Sequence, residues 1–363
     1  MGTLFKNVFR GQTILITGDT GFKGSWLAIW LLNLGANVIG YSLPPKTAND
    51  NFARCGLSRK ITHIDGDIRK YNEIKAAVSE YEPTIVFHLA AQALVLNSYK
   101  EPIYTYGTNV MGTVNLLEAV RHEPSVEAVV NVTSDKCYEN REWVHSYRET
   151  DPLGGNDPYS ASKAASEIIT QSYARSFFTN KDSAATASAR AGNVIGGGDW
   201  AENRIFPDCV RAFAADTAVV IRHPNAVRPW QHVLEPLSGY LTLASLLLTH
   251  GMRYTGAWNF GPSTKNMVTV KQLVEETIKQ WGRGRYVVAK SRNEQKEAGL
   301  LSLDISKAVN SLGWRPVLDF VQTVQLAIEE YKTDSLSTDE IFEQRVDHIN
   351  RYTRQRGSTH NTC

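Results

Sequence analysis

The stretch from Tyr159 to Lys163, with the sequence YSASK, holds two side chains whose types and spacing suit proton transfer. Asp157 has the residue type of a helix N-cap and Pro158 that of a first helical position, so the sequence predicts a helix to about Phe178. Residues four apart share a helix face, which places the Tyr159 phenol near the Lys163 ammonium. A neighbouring ammonium lowers a phenol's pKa, so Tyr159 is a candidate acid/base for an alcohol hydroxyl. Alone, the pattern also fits a surface helix with an incidental Tyr and Lys.

The composition is that of an ordinary globular protein. The length of 363 residues predicts roughly two domains. The contents of 42% hydrophobic and 21% charged residues are those of an ordinary soluble globular protein. The formal net charge is +2 without long runs of one sign, which gives no indication of a nucleic-acid or membrane partner. Met1 to Gln12 lacks the apolar core of a signal peptide, and the apolar stretch around Leu241 to Leu248 is too short to span a bilayer. The four cysteines have no zinc or redox spacing, so we expect no metal and a reducing cytoplasm.

A glycine-rich turn lies near the N-terminus, between a predicted strand and a predicted helix. The strand is Thr13 to Thr17, the turn GDTGFKG covers Gly18 to Gly24, and the helical stretch covers Ser25 to Leu34. Glycines let the backbone approach a pyrophosphate, and a helix N-terminus offers free N–H groups. The spacing is G-x-x-G-x-x-G rather than G-x-G-x-x-G. The context nevertheless favours a dinucleotide site over a turn that binds no ligand.

The second predicted strand, Asn37 to Tyr41, ends without the usual indication of which dinucleotide is bound. An acid near this point commonly binds the ribose 2′-hydroxyl of NAD, and an Arg accepts the 2′-phosphate of NADP. This chain has Tyr41 and Ser42 there instead. The strand therefore leaves NAD and NADP both open.

Strands and helices continue to alternate through the first half of the chain. Further strands are predicted at Ile61 to Ile64, Thr84 to Leu89 and Ala128 to Val132, with helices at Asn72 to Tyr81 and Asn109 to Val120. This alternation predicts an α/β fold with a doubly wound parallel sheet of the Rossmann type, in which ligands bind beyond the carboxyl ends of the strands. His88 interrupts an apolar strand, and we expect it to be buried and hydrogen-bonded rather than a ligand.

A hydroxyl, a carboxyl and an amine follow the fifth strand. They belong to Ser134, Asp135 and Lys136, which come directly after Thr133. The carboxyl end of this strand should meet the same crevice as the glycine turn. Each residue also has a local explanation, because Ser and Asp are common in turns and a lysine can be solvated.

Together, these pieces resemble the extended short-chain dehydrogenase/reductase family over about residues 10 to 330. The matching motifs are GDTGFKG, Asp67-Ile68, His88 to Ala91, Asn109, the Ser134 strand end, Tyr159 with Lys163, Arg190 to Val194, Arg228 to Val233 and Asn259 to Pro262. Within the family, the chain is most similar to nucleotide-sugar 4,6-dehydratases, with CDP-glucose as the implied substrate. The residues that carry this finer resemblance are Thr133 to Lys136, Gly192 to Trp200 and Arg228 to Glu235. Sugar 4-epimerases of the family lack an acid such as Asp135.

The resemblance implies a catalytic role for five residues. Tyr159 would deprotonate the sugar 4-hydroxyl, Ser134 would bind the developing oxygen, and Lys163 would lower the tyrosine pKa. Asp135 would protonate the leaving 6-hydroxyl. Lys136 would be the base at C5, if burial makes it neutral, or an ion-pair partner of Asp135. Hydride would return from the cofactor to C6, so the cofactor, NAD with NADP not excluded, would stay tightly bound and be recycled.

By the same resemblance, fifteen residues bind the cofactor. They are Gly18, Thr20, Gly21, Phe22, Lys23, Gly24, Asp67, Ile68, Leu89, Ala90, Ala91, Asn109, Thr133, Tyr159 and Lys163. The implied dinucleotide-binding domain covers residues 1–190 and about 231–261, including a helix at about Pro236 to Leu248 and a strand at about Ala257 to Phe260.

A second, smaller α/β domain, at about 191–230 and 262–330, would bind the nucleotide sugar. Its implied contacts are Asn193, Arg204 and Arg228 to the diphosphate, Trp200 to the base, and Glu297. An arginine fork suits a diphosphate, although Arg204 could form a surface ion pair and Trp200 could belong to the core. Residues 331–363 read as a polar tail with a helix at about Asp339 to Tyr352.

Two alternatives and an assembly also follow from the resemblance. A 4-epimerase on the same fold would not need Asp135, and a dehydratase could act on another nucleotide sugar. Relatives pair two helices per subunit, here roughly Thr105 to His122 and Asp157 to Phe178, so we expect a homo-oligomer, a dimer or a tetramer. The implied pathway leads to deoxysugars of bacterial surface polysaccharide.

Overall fold

The protein alternates strands and helices along most of its length. This computed structural model describes residue 5 and residues 7–263, 267–289 and 300–360. The strands are β1 (Thr13–Thr17), β2 (Asn37–Ser42), β3 (Thr62–Asp65), β4 (Ile85–His88), β5 (Ala128–Val132), β6 (Ala185–Ala191), β7 (Val194–Ile195), β8 (Ala218–Ile221), β9 (Val227–Pro229), β10 (Gln231–His232), β11 (Gly256–Phe260), β12 (Met267–Thr269) and β13 (Arg285–Val288). The helices are α1 (Phe22–Asn33), α2 (Asn51–Arg54), α3 (Tyr71–Tyr81), α4 (Val95–Lys100), α5 (Pro102–Tyr106), α6 (Gly112–Arg121), α7 (Pro158–Ser176), α8 (Ile205–Ala214), α9 (Leu234–His250), α10 (Val270–Trp281), α11 (Phe320–Tyr331) and α12 (Thr338–His360).

Seven of these strands form one parallel sheet, in the order β3-β2-β1-β4-β5-β6-β11. The order reverses between β1 and β4, which creates the crevice where ligands bind in folds of this type. One apolar cluster joins the sheet to α1, α9 and α12, and a second joins its other face to α3 and α6. The predicted doubly wound α/β fold is confirmed.

The predicted elements agree closely with the structure. β1 and β5 have the predicted bounds, β2 and β11 are one residue longer at one end, and β3 and β4 differ from the prediction by one residue at each end. His88 is buried as expected, with its Nδ1 2.7 Å from Thr17 Oγ1 and its Nε2 3.3 Å from Thr113 Oγ1. Burial lowers the pKa of His88 to about 3, so this side chain is neutral.

Three small two-stranded sheets lie outside the central one. They pair β7 with β10, β9 with β12, and β8 with β13. Two further apolar clusters involve α8, α10 and α11 with these strands. We propose, on this basis, that residues of the 191–230 and 262–330 segments form the smaller domain expected from the sequence.

The C-terminal helix α12 is longer than predicted and is part of the main core. Ile341, Ile349 and Tyr352 are buried in the same apolar cluster as α1 and α9. The Tyr352 hydroxyl donates to Glu235 Oε2 on α9 (2.6 Å). A segment with a polar composition thus covers one face of α1.

Candidate functional site

The glycine turn after β1 requires glycine at two positions. Gly18 has φ +80°, and a Cβ there would lie 2.7 Å from the Ala90 backbone nitrogen. A Cβ at Gly24 would lie 2.1 Å from the Gly18 carbonyl oxygen. Helix α1 begins after Gly21, and no side chain among the described residues caps it. Its first N–H groups and the helix dipole are therefore available to a phosphate, as the dinucleotide interpretation requires.

Lys23 places a positive charge in this crevice. Its side chain is half-buried, and no described residue forms a hydrogen bond or ion pair with its ammonium group. Burial lowers the pKa of Lys23 to about 8, with a further lowering from Arg204 and an opposing effect of Asp135. An ammonium group in this situation suits an anionic ligand. Phe22, beside it, is half-buried and packs against the main core.

The remaining predicted cofactor residues line the ends of neighbouring strands. Thr20 Oγ1 donates to the Leu43 carbonyl (2.9 Å). The Asp67 carboxylate accepts hydrogen bonds from the backbone and guanidinium of Arg69, which lower the pKa of Asp67. Ile68 is buried, and Leu89, Ala90 and Ala91 are half-buried in the loop after β4.

Asn109 connects this loop to helix α7. Its side chain accepts from the Gln92 backbone N–H (2.8 Å) and donates to the Gln92 carbonyl (3.0 Å) and to Ser162 Oγ (2.8 Å). Both the oxygen and the nitrogen of the Asn109 side-chain amide are thus hydrogen-bonded within the protein. The geometry supports a role in holding the loop against α7, and cofactor contact by Asn109 stays a prediction.

The strand end after β5 brings three predicted catalytic groups together. Ser134 Oγ accepts from the Lys136 backbone N–H (3.2 Å) and donates to Asp135 Oδ1 (3.0 Å). Asp135 Oδ2 is buried and has no hydrogen-bond partner among the described residues. Burial raises the pKa of Asp135, against a lowering effect of the Lys136 ammonium. This carboxyl is therefore suited to hold a proton and to give it away.

Tyr159 and Lys163 lie on α7 as the spacing predicts. Asp157 caps the helix by accepting from the Ser160 N–H (2.9 Å), and Pro158 is its first residue. Both side chains are buried, and the Ser134 hydroxyl is close enough to Tyr159 to lower the pKa of the phenol. The crevice thus joins Tyr159 and Lys163 of α7 to the strand end that follows β5.

The predicted pKa shift of Tyr159 is wrong for the protein alone. Burial raises the pKa of Tyr159 to about 12, although the Ser134 hydrogen bond opposes this. The Lys163 amine donates instead to the Val132 carbonyl (3.3 Å), and burial lowers the pKa of Lys163 to about 8. Desolvation therefore outweighs the opposing effects of the Ser134 hydrogen bond and the Arg204 charge, and forming the phenolate requires more positive charge in the crevice than the chain supplies.

A buried ion pair behind these groups was not anticipated from the sequence. Glu167 and Arg190 are fully buried, with Arg190 Nη2 2.7 Å from Glu167 Oε2. The Glu167 carboxylate also accepts from the hydroxyls of Thr133 and Ser188, so it fixes the residue that precedes Ser134. Glu167 follows Lys163 by four residues, and this spacing on one helix face was the available signal.

The predicted substrate residues lie across the crevice. Arg204, half-buried at the start of α8, donates from Nη1 to Asp199 Oδ2 (2.8 Å). Its charge and that of Tyr159 affect each other's pKa, so Arg204 lies near the catalytic groups. Arg228, on β9, acts similarly on Asp135. The two guanidinium charges are thus near enough to act on Tyr159 and on Asp135, respectively.

The other predicted substrate residues are less directly placed. Asn193 is half-buried, and its carbonyl accepts from the Gln231 N–H (3.1 Å). Trp200 packs edge-on against Tyr331, with ring centroids 5.1 Å apart, and contributes to a core cluster. Glu297 lies outside the described residues. Base stacking by Trp200 stays a prediction.

Two other kinds of site were sought in the described part of the chain. It contains no group of three or more His, Cys, Asp or Glu side chains that could hold a metal ion. None of its helices combines the length and the apolar character that crossing a membrane requires.

Comparison with known proteins identifies the family. Residues 15–327 match the family model described as GDP-mannose 4,6 dehydratase, so the chain belongs to that family. A CDP-glucose 4,6-dehydratase from Salmonella typhimurium is 46% identical, over 90% of this chain and 92% of the relative. A dTDP-glucose 4,6-dehydratase from Streptomyces venezuelae, solved with NAD and TYD bound, matches with TM-score 0.75 and 24% identity, over 89% of this chain and 97% of that one. A UDP-glucose 4-epimerase from Thermotoga maritima, solved with UDP-glucose, matches with TM-score 0.74 and 24% identity, over 90% and 100%.

Proposed function

We propose that this protein is an NAD-dependent CDP-glucose 4,6-dehydratase, which converts CDP-glucose to CDP-4-keto-6-deoxyglucose and water. The observation that carries the proposal is the buried Asp135 carboxyl, whose Oδ1 accepts from Ser134 and whose Oδ2 has no hydrogen-bond partner among the described residues. Removal of the 6-hydroxyl as water requires a proton donor besides Tyr159, whereas inversion at C4 requires only that Tyr159 return the proton it took from the 4-hydroxyl. The 46% identity to a CDP-glucose 4,6-dehydratase supports the choice of substrate.

The proposed first step is oxidation at C4 of the sugar. Tyr159 takes the proton of the 4-hydroxyl, and the Ser134 hydroxyl binds the developing carbonyl oxygen. A bound NAD would supply a reversible hydride acceptor and the positive charge of its oxidised ring. Such a charge would favour the Tyr159 phenolate, which burial disfavours in the chain alone. Lys163 would hold the cofactor ribose beside this pair.

The proposed second step is loss of water between C5 and C6. The C4 ketone acidifies the C5 proton, and Lys136 is the base that removes it. Asp135 gives its proton to the 6-hydroxyl, so that the C6–O bond breaks and water leaves. Hydride addition at C6 and protonation at C5 then complete the product. The sugar nucleotide undergoes no net oxidation, and the cofactor stays bound.

The described residues fit the cofactor and the substrate diphosphate. The glycine turn, the uncapped start of α1 and the Lys23 ammonium would hold the cofactor pyrophosphate. Arg204 and Arg228 would bind the substrate diphosphate from the opposite side, together with Asn193. Trp200 and Glu297 complete the proposed substrate contacts.

The test is to incubate the purified protein with CDP-glucose, without added cofactor, and to weigh the sugar nucleotide by mass spectrometry. Loss of one water without accumulation of reduced nicotinamide supports the proposal. An unchanged mass with inverted C4 configuration would support the epimerase, to which the solved fold is also similar. Loss of water only from another nucleotide sugar would keep the reaction and overturn the substrate.

The cellular setting is also a proposal. The three cysteines within the described residues are free and buried, which supports a reducing cytoplasm. The 4-keto-6-deoxy product would supply deoxyhexoses and dideoxyhexoses of O-antigen, in lipopolysaccharide biosynthesis.

We propose that the protein is a homo-oligomer, assembled through a surface on α5, α7 and the segment between α5 and α6. Three exposed apolar side chains define this surface: Ile103, Met111 and Ile168, which are 89%, 51% and 58% exposed. Exposed apolar side chains that cluster on adjoining helices are typical of an interface. A dimer formed in this way would bring α7 of each subunit, which carries Tyr159, close to its partner.

A further inference from the structure

The carboxylate of Asp19, from the glycine turn, lies at the end of β2. Tyr41 and Ser42 stand where dinucleotide-binding proteins commonly have a carboxylate for the ribose 2′-hydroxyl. Asp19, in the glycine turn, fills this gap: it is fully buried, and its Oδ1 accepts from Ser42 Oγ at 2.8 Å. Gly40 leaves the necessary space, because a Cβ there would lie 2.1 Å from Asp19 Oδ2. The glycine turn and β2 are thus fitted to each other around one carboxylate.

The second oxygen of Asp19 is bound by a histidine. His63 Nδ1 lies 2.7 Å from Asp19 Oδ2, and His63 Nε2 lies 3.2 Å from Asp65 Oδ1. The hydrogen bond to Asp19 raises the pKa of His63. Asp19, His63 and Asp65 together carry a net charge of −1 when the histidine is protonated. Their net charge is −2 when the histidine is neutral. The end of β2 is therefore negative in either state.

Ser42 keeps the capacity to accept a hydrogen bond from a ligand. Its proton goes to Asp19 Oδ1 at 2.8 Å in preference to the Leu43 carbonyl at 3.1 Å, and one of its two lone pairs accepts from the Thr20 backbone N–H at 3.4 Å. Thr20 Oγ1, 2.9 Å from Ser42 Oγ, donates to the Leu43 carbonyl and leaves the second lone pair unused. A lone pair on Ser42 Oγ can then accept from a hydroxyl. A ribose 2′-hydroxyl can donate such a bond, whereas a phosphate dianion cannot and would also be repelled by the carboxylates.

We propose that Ser42, positioned and polarised by Asp19, binds the 2′-hydroxyl of the adenosine ribose and that the Asp19 carboxylate excludes a 2′-phosphate. The inference rests on the dinucleotide cofactor of the proposed function and specifies which form is bound. Ser42 is the contact, and Asp19 is a positioning residue because its own side chain is fully buried. The preference for NAD thus comes from the glycine turn rather than from β2.

One feature of the sequence opposes this specificity. Lys46 is the basic residue in the stretch 43–50 after β2, and its side chain is exposed. If the loop brought Lys46 to a 2′-phosphate, NADP would bind well. The experiment must therefore separate the effects of Asp19 and Lys46.

The test is a competition between the two cofactors for the full-length protein. The protein is equilibrated with equal NAD and NADP, separated from free nucleotide, and the bound nucleotides are weighed by mass spectrometry. We expect wild type to hold mainly NAD. Asp19→Asn, which keeps the shape and removes the charge, should lower the ratio of bound NAD to NADP about tenfold. Ser42→Ala should lower the amount of bound NAD without increasing NADP.

The matched control is Asp65→Asn, which removes a charge from the other side of the same histidine. The Asp65 side chain is 70% exposed, so solvent should screen its effect and the ratio should change by less than about threefold. An equal fall in the ratio of bound NAD to NADP in Asp19→Asn and Asp65→Asn would overturn the assignment of cofactor specificity to Asp19. Wild-type protein that binds NADP as well as NAD, with NADP lost in Lys46→Met, would also overturn it.

The competition experiment can still be interpreted if Asp19→Asn does not fold or if the proposed reaction is wrong. If Asp19→Asn does not fold, Ser42→Ala decides, because an unchanged nucleotide ratio in that variant overturns the proposal. The outcome is also separate from the proposed reaction, because water loss from CDP-glucose is measured on the wild-type protein. A dehydratase that binds both cofactors equally would keep the reaction and contradict the specificity.

Discussion

At the scale of single residues, Asp135 distinguishes the proposed dehydratase from an epimerase. Its Oδ2 is buried with no hydrogen-bond partner in the part of the chain that the structure describes, and its raised pKa is that of a carboxyl that stays protonated to a higher pH than an ordinary aspartate. A Cβ at Gly192 would lie 2.7 Å from this oxygen, so glycine there keeps the space in front of the carboxyl open. The chain therefore provides both a proton donor and room for the group that receives the proton.

Asp135→Asn should slow loss of water by about 10² to 10⁴, the range for removal of a general acid. In wild type the rate of water loss should fall as pH rises through the raised pKa of Asp135, because the deprotonated carboxyl cannot donate. The variant should lack this limb of the pH profile. Mass spectrometry of the product at several pH values measures both effects. Water loss within about tenfold of wild type would contradict the role.

Lys136 is the other residue whose role can be tested directly. Its side chain is half-buried and makes no hydrogen bond or ion pair with the described residues, so the amine is free to meet a ligand. Lys136→Met should abolish exchange of the C5 hydrogen with deuterated solvent while C4 oxidation persists. Lys136→Arg keeps the charge but cannot become a neutral base, so it should also fail to exchange. Exchange retained in the arginine variant would show that Lys136 acts only through its charge.

At the scale of elements, a buried carboxylate holds the C-terminal helix in place. Glu330 on α11 accepts from the Gly197 N–H (2.6 Å) and interacts with His232 Nε2 and His348 Nδ1, both at 3.1 Å. Burial alone would raise the pKa of Glu330, but the two histidines and Arg345 lower it well below its ordinary value of 4.5. One side chain thus joins α11, α12, β10 and the loop after β7.

Glu330→Gln should lower the free energy of unfolding by about 3 to 5 kcal/mol, because it leaves the buried charge of Arg345 without the opposite charge of Glu330. Glu329→Gln is the matched control: this neighbour is 38% exposed and pairs with Arg351, so its loss should cost less than about 1 kcal/mol. Denaturant unfolding measures both. Equal losses in the two variants would contradict the importance of burial.

The contribution of Glu330 to the stability of the protein should decrease in acid. A carboxylate whose pKa is depressed on folding stabilises the protein above its unfolded pKa, near 4.5 here, and loses that contribution as pH falls. The loss of wild-type stability below this pH should be smaller in Glu330→Gln. The comparison extends the same unfolding experiment to a series of pH values.

The elements could be predicted from the sequence where their signals are local. Apolar runs located the central strands, and Asp157 with Pro158 located the start of α7. The burial of α12 could not be predicted, because Ile341, Ile349 and Tyr352 are spread through a polar segment. Asp19 and His63 were also missed as a pair, since 44 residues separate them. The direction of the Tyr159 pKa shift depends on the extent of burial, which only the fold determines.

At the scale of the whole molecule, the catalytic helix also belongs to the surface proposed for assembly. α7 carries Tyr159 and Lys163 on its buried face and Ile168 on its exposed face. Helices α4 to α6 pack against α7 on the same side of the molecule. Assembly through this surface would therefore support the helix that holds the catalytic pair from the face opposite the crevice.

Ile103→Asp should convert the proposed oligomer to a smaller species. Ile103 is 89% exposed on α5, so a charge there costs the isolated chain little but must lose its water inside an interface. We expect subunit affinity to fall by about thirtyfold or more, the effect of losing a central interface contact. Val144→Asp is the control, because Val144 is also apolar and 83% exposed but lies in the loop between β5 and α7. Analytical ultracentrifugation over a range of concentrations measures both; a monomeric wild type, or equal dissociation of the two variants, would contradict assembly through α5 and α7.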